Sequence, residues 1–416
     1  METAVFTGSK KHKVSGSRVD LEYRKRAEAV IAHSALTNSK RPECFVNGFY
    51  PTHFTGGNGV CLTDTRNNKY TDFICGLGSN LLGYGHTLTV DAAIQALKRG
   101  PTLSFSSTVE VELAEKIIEI MPFIQKVRFL KSGSEGCAAS VRIARAFTGR
   151  NVILSEGYHG FHDEFTSLTP PANGVPPHLF IKPLSPDLID ETVGGVILEP
   201  IMTDMSDERI KWLRDIRERC TKVGALLIFD ETITALRFPR FCVANYLGIE
   251  PDLIVFGKAL ANGMPISCVG GRGDAMNSDY FVSSTFAGET ASLSAALACL
   301  KALQKSYDIN HLWSAGSRFQ ARFNELSEHV KIEGYPTRGV LKGEDLPKAL
   351  FMQESCRAGL LFGASWFYAF PHIDLEDQIL AILKDVFFRL NSSNIKLEGA
   401  LPKKPIAQTI RERKSA

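Results

Sequence analysis

The chain has 416 residues and a mass of 45.8 kDa, too much for one small core and enough for two or three structural units. With 44% hydrophobic and 22% charged residues it has the balance of an ordinary globular protein, so disorder is expected only at its ends. A net charge of +3 excludes a surface devoted as a whole to nucleic acid, and no window approaches the ~20 apolar residues that a membrane helix needs.

The charge is unevenly placed. The N-terminal "GSKKHKVSGSR" and the C-terminal "KKPIAQTIRERKSA" are both basic. They are expected as solvated ends, with docking onto an acidic partner, nucleic acid included, as the alternative. The nine cysteines are scattered without a C-x-x-C pair, which points to buried thiols in a reducing compartment and to no metal site. No apolar stretch follows the N-terminal basic residues as a signal peptide would require, so the cytoplasm is the expected location.

Taken in chain order, "GVCLTDTRNNKYTDFICGLGSNLLGYGH" reads as strands joined by a turn at Arg66-Asn67-Asn68, then a glycine-rich loop and a helix near 90–99. From residue 126 onward, short apolar runs alternate with helical periods: "KVRFL" (126–130), "NVILS" (151–155), "GGVILEP" (194–200), "ALLIFD" (225–230) and "DLIVF" (252–256). This alternation predicts an α/β fold with a mainly parallel central sheet and helices on its faces. Ile210, Leu213 and Ile216 mark one face of a helix between two of these strands. After the core come two further helices, "ETASLSAALACLKALQKS" and "INHLWSAGSRFQARFNELSEHV", and then a smaller unit.

In open sheets of this kind, chemistry collects at the carboxyl ends of the strands. After "KVRFL" comes "KSGSEG", a loop opening into a helix. Gly133 and Ser134 there would suit a phosphate cradle or a plain helix cap. After "NVILS" comes "EGYHG", whose Tyr158 could stack on a flat ring or line a rim, and whose His159 could be structural. Asp230 ends "ALLIFD" and needs a fixed partner, for which a protonated pyridine nitrogen, an N-cap amide or Arg237 would serve. Lys258 follows "DLIVF", either as a strand-end surface charge or as a desolvated amine able to attack an aldehyde. The four features together describe one ligand, pyridoxal 5'-phosphate.

With "SGSEG", "GYHG", "ILEP", "FDETITALRF", "DLIVFGKALANGMPISCVGGR" and "SSTFAGET" in this order, the sequence resembles the class III pyridoxal-phosphate aminotransferases. Within them it is most similar to glutamate-1-semialdehyde aminomutase and to aminotransferases of sugar and polysaccharide pathways, over residues 40 to 310. The resemblance implies the type I fold of these enzymes, with a smaller α+β domain beside the large one. Lys258 matches the lysine that forms the Schiff base and shuttles a proton, and Asp230 the acid that keeps the ring nitrogen protonated. Gly133 and Ser134 match the phosphate cradle, Tyr158 the stacking aromatic, and Thr232 the support of the ring's other face. Thr285 matches a threonine that reaches the phosphate of a neighbouring subunit, so a homodimer with shared sites is implied.

Two departures bear on substrate. Glu289-Thr290 stands where Asn-Pro is common, and beyond Glu333 "YPTRGVLKGEDLPKALF" does not align convincingly. Arg41, Arg237 and Arg240 are the candidates for a substrate carboxylate. The expected activity is amino-group transfer or migration between a small donor and acceptor. The alternative is decarboxylation or elimination with the same cofactor, including on a substrate tethered to nucleic acid. The expected division is a basic tail and joining segment over 1–70, a large cofactor-binding domain over 71–305, a small domain over 306–400 and a flexible basic tail over 401–416.

Overall fold

A computed structural model describes residues 20–166 and 181–412. The N-terminal basic stretch up to residue 19 and the last four residues lie outside the described residues.

The central sheet has seven strands in the spatial order Lys126–Leu130, Ser267–Gly271, Leu253–Phe256, Leu226–Asp230, Val193–Leu198, Val152–Glu156 and Ile181–Pro183. Every pair is parallel except those made by Ser267–Gly271, which runs antiparallel to both neighbours. Two reversals cancel, so Lys126–Leu130 points the same way as Leu253–Phe256. The carboxyl ends of the five strands read from sequence therefore share one edge of the sheet. Ser267–Gly271 and the three-residue Ile181–Pro183 are additions that periodicity did not single out, since one is glycine-rich and the other very short.

Residues of Leu226–Asp230 and Leu253–Phe256 are buried throughout, as strands covered on both faces must be. On one face the helix Gly133–Thr148 packs Val141, Ile143 and Ala144 against Ile153, Ile197 and Val255. On the other, Asp207–Val223 buries Leu213, Ile216 and Cys220 in the larger core, a stripe shifted one turn from the expected one because Ile210 stays half-buried at the helix start. Fully burying each such side chain contributes about 1.5–3 kcal/mol.

Among the described residues there are two smaller sheets. Phe54–Asn58, Cys61–Asp64 and Lys69–Asp72 form a meander whose last strand pairs in parallel with Leu360–Leu361. Its tight turn is an Asx turn: Asp64 Oδ1 accepts from the amides of Arg66 (2.9 Å) and Asn68 (2.8 Å). Lys331–Tyr335, Arg338–Lys342 and Ser365–Phe367 form the third sheet, so the poorly aligning stretch is a hairpin strand followed by the helix Asp345–Arg357.

Arg237 ties these parts together. Its side chain is fully buried and donates to three backbone carbonyls, Gly78 (2.8 Å), Tyr368 (3.1 Å) and Thr337 (3.3 Å), while Thr337 Oγ1 returns a bond to Arg237 O (2.9 Å). Arg237→Met removes three charge-assisted bonds and strands their acceptors, so the unfolding free energy falls by about 3 kcal/mol. Urea denaturation checks this, and an unchanged midpoint would refute the role.

Candidate active site at the strand ends

The helix Gly133–Thr148 begins where Lys126–Leu130 ends. Ser132 caps it: its Oγ accepts from Glu135 N (3.2 Å), and the Glu135 carboxylate accepts from Ser132 N (2.8 Å). The two readings of this loop thus fall on different residues. Ser132 is the cap, and the amides of Gly133 and Ser134 remain in a first turn that no intrahelical carbonyl serves, a place that favours an anion. The backbone here is closely packed. A methyl on Gly133 would meet Thr232 Cγ2 at 2.8 Å, and one on Gly160, whose φ is +99°, would run into the Ser134 hydroxyl.

Asp230 is buried at the end of its strand. Oδ2 accepts from His159 Nδ1 (2.8 Å) and from the Cys137 thiol (3.3 Å), while Oδ1 accepts from Thr232 N (3.0 Å). The other His159 nitrogen lies 3.0 Å from Glu156 O. Burial alone would raise the Asp230 carboxyl, but the bonded His159, and after it Thr232, hold it below the usual carboxylate range. Arg237, a candidate partner by sequence, is engaged instead by the Tyr368 and Gly78 carbonyls.

Lys258 opens a short 3₁₀ turn with φ +31°, an uncommon conformation for a side chain to tolerate and one associated with functional sites. Burial pushes its amine down to about 8, helped by the Arg411 guanidinium and opposed by Asp230 and Glu199. Among the described residues its Nζ makes no ion pair or hydrogen bond, and it faces a cavity of about 290 Å³ that Gly133, Ser134, Tyr158, Asp230 and Thr232 also line.

Six of the seven expected site residues therefore surround one cavity. Thr285 does not: it is exposed, in the segment before helix Thr290–Lys305. Glu289 caps that helix through Ala291 N (2.6 Å) and pairs with Lys131 (2.9 Å) beside Ser132 and Gly133, which explains a carboxylate at this departure.

None of the three candidate arginines reaches the cavity. Arg240 is a surface residue on a separate turn, Arg237 is structural, and Arg41 lines neither this cavity nor its neighbour. The arginine that does is Arg411, on the helix Ile406–Arg411 within the stretch expected as a flexible tail. Its Nε donates to Glu199 Oε1 (2.7 Å) and Oε2 (3.0 Å), and its guanidinium lies 5.6 Å from the centre of the Tyr158 ring. Glu199 also accepts from Tyr158 N (2.9 Å). A carboxylate at a buried strand end draws in a cation from 212 positions away, a pairing that local sequence does not display.

The residues present fit pyridoxal 5'-phosphate: an anion cradle at a helix start, an aromatic face, a buried carboxylate with Oδ1 lone-pair capacity and an unpaired amine.

The family model described as aminotransferase class-III matches residues 47–188 and 178–379. The chain is 30% identical over 315 residues to glutamate-1-semialdehyde 2,1-aminomutase of Methylacidiphilum infernorum, covering 68% of this chain and 73% of the relative. It is 32% identical over 324 residues to glutamate-1-semialdehyde 2,1-aminomutase 2 of Lachnoclostridium phytofermentans, covering 70% and 76%. The FumI protein of a Sphingopyxis species, solved in its pyridoxal-phosphate internal aldimine form, superposes with a TM-score of 0.81 at 25% identity, covering 89% of this chain and 97% of that one.

Only the neutral amine of Lys258 can be acylated, so its labelling in cofactor-free protein should rise through a midpoint near about 8 instead of the ordinary 10.5. In Arg411→Ala the loss of a neighbouring positive charge favours the ammonium form and moves the midpoint up. Peptide mass spectrometry across a pH series reads both, and a wild-type midpoint in the ordinary lysine range would contradict the described burial.

Proposed function

Since the chain belongs to the class-III aminotransferase family, and is with it a pyridoxal 5'-phosphate-dependent enzyme of amino-group transfer or migration, we propose that Lys258 and Asp230 carry its chemistry. The observation that bears most of this reading is the unpaired, depressed amine of Lys258 opposite a buried, hydrogen-bonded Asp230 in one cavity.

When bound, the cofactor supplies an aldehyde for an incoming amine and a ring that accepts the electron pair left when a Cα proton departs. The chain's own residues do the rest. The amides of Gly133 and Ser134, with the Ser134 hydroxyl, hold the phosphate group. Tyr158 and Thr232, which line the same cavity, would hold the ring. Asp230 keeps a proton on the ring nitrogen through Oδ1 while His159 and Cys137 fix Oδ2, so the carboxylate cannot swing away. Lys258 Nζ takes the substrate proton and returns it to a neighbouring carbon, a transfer worth ~10² to 10⁴ in rate. Its depressed proton affinity suits this task, because a base works best with a pKa near the operating pH.

A homodimer completes the proposal. Leu103, Phe105, Phe281 and Phe286 are large and exposed, and the last two flank Thr285. A second copy covering them would bury this apolar surface and bring its Thr285 toward the first copy's phosphate loop. The nine free cysteines, eight of them buried, support a reducing, cytoplasmic setting.

The purified protein should show a band near ~420 nm that L-glutamate bleaches and a keto acid restores. In Lys258→Ala the band is absent and turnover falls by ~10² or more. Carbon dioxide release without recovery of the band would replace amino transfer by decarboxylation, and a protein that takes up no pyridoxal phosphate would refute the assignment.

A further inference from the structure

A second cavity, of about 420 Å³, adjoins the first and shares Tyr158, Gly160, Ile233, Lys258 and Arg411 with it. Its size is within the range of small-molecule sites. Beyond the residues around Tyr158 and Lys258, its walls include the turns around Asn38 and Phe45, the segment Gly363–Phe367 and the C-terminal segment Pro405–Arg411. Phe45, Leu77, Ile233, Phe367 and Ile406 make it largely apolar. Among the described residues that line it there is no aspartate or glutamate, and Lys258 and Arg411 are the charged ones.

The C-terminal wall is held at several points. Ala400 N donates to Asn47 O (2.8 Å), Lys403 N to Glu43 O (2.6 Å) and Ile406 N to Asn38 Oδ1 (2.9 Å), before Arg411 reaches Glu199. Glu199 engages only Nε. Among the described residues the two terminal nitrogens of Arg411 make no hydrogen bond, and the side chain keeps 13% of its surface exposed. A guanidinium held by one edge, with its other donors facing a cavity, is suited to receive a carboxylate.

We propose that the segment 400–411 is a specificity element of the active site, which selects an amino acid with an extended apolar side chain: the cavity takes the side chain, and Arg411 takes the carboxylate. This rests on the amino-transfer reading. The amine that displaces Lys258 starts at the junction of the two cavities, so its substituents must run into the second one. There an apolar chain leaves water, whereas a side-chain ammonium would meet the Arg411 guanidinium and no acid among the described lining residues.

Ornithine and 2-aminohexanoate have side chains of the same length and shape, and differ in a terminal ammonium against a methyl. With the pyridoxal-phosphate-loaded enzyme and racemic donors, bleaching of the ~420 nm band should be at least tenfold more efficient for 2-aminohexanoate than for ornithine. From 2-aminobutanoate to 2-aminohexanoate, efficiency should climb about fourfold per added methylene. Hexanoate, which has no amine to react, provides a binding measurement independent of turnover. Its calorimetric affinity for the loaded enzyme should drop at least tenfold in Arg411→Ala, and the loss of bleaching efficiency in that variant should be at least tenfold greater for 2-aminohexanoate than for hexylamine, which has no carboxylate but meets the same altered Lys258. Ile406→Glu, which puts an acid into the cavity wall, should reverse the preference towards ornithine.

A flat chain-length series, ornithine equal to or better than 2-aminohexanoate, or hexanoate binding unmoved by Arg411→Ala would overturn the proposal while leaving amino transfer intact. A loaded enzyme that no amine bleaches would overturn amino transfer itself, and the hexanoate titration would still decide the role of Arg411.

Discussion

The site is organised around one carboxylate that cannot be left alone. Asp230 ends a strand whose every residue is buried, and an unpaired ion there would cost several kcal/mol. Its compensation comes from three elements: His159 from the loop after Val152–Glu156, Cys137 from the helix after Lys126–Leu130, and the Thr232 amide from its own turn. Satisfying Asp230 therefore also sets where the loop that opens the helix Gly133–Thr148 and the loop that carries Tyr158 stand relative to each other. The parallel direction of the strands makes this possible, because it delivers all three loops to one edge of the sheet.

A second buried carboxylate repeats the logic at the outer side. Glu199, one strand over from Asp230, holds the Tyr158 amide and captures Arg411 from the far end of the chain. Lys258 feels both acids and the arginine. Burial and Arg411 lower its proton affinity and the carboxylates raise it, with burial dominant. The amine's reactivity thus depends on how tightly the C-terminal segment is held, which links the end of the chain to the chemistry at its centre.

The fold was largely legible because fully buried strands announce themselves as continuous apolar runs with chemistry at their ends. "KVRFL" coincides with its strand, and the other four runs overlap theirs within two residues at each end. The type I fold and the cofactor implied by the motifs agree with the family and with the solved relative. Ser267–Gly271 was not legible as a strand, since two of its five residues are glycine and its place between two strands is a tertiary fact. That Gly133, Ser134, Tyr158, Asp230, Thr232 and Lys258 come to line one cavity was foreshadowed because each follows a strand or opens a helix. His159 was in view beside Tyr158, but nothing local tells a structural histidine from the partner of an aspartate 71 positions on.

Arg411 marks the limit. Its neighbourhood is short and basic and has no continuous apolar run, which is the composition of a tail, and its partner, Glu199, lies in another part of the chain. By itself the sequence determined the order of strands and helices, the chemical kind of residue at each strand end and hence the cofactor, because these depend on periodicity and on groups within a few positions of one another. Only the tertiary structure decided which arginine faces the cavity, which histidine holds the acid and what walls the second chamber, because long-range pairing of buried charges depends on distances in space that the spacing of residues along a chain does not encode.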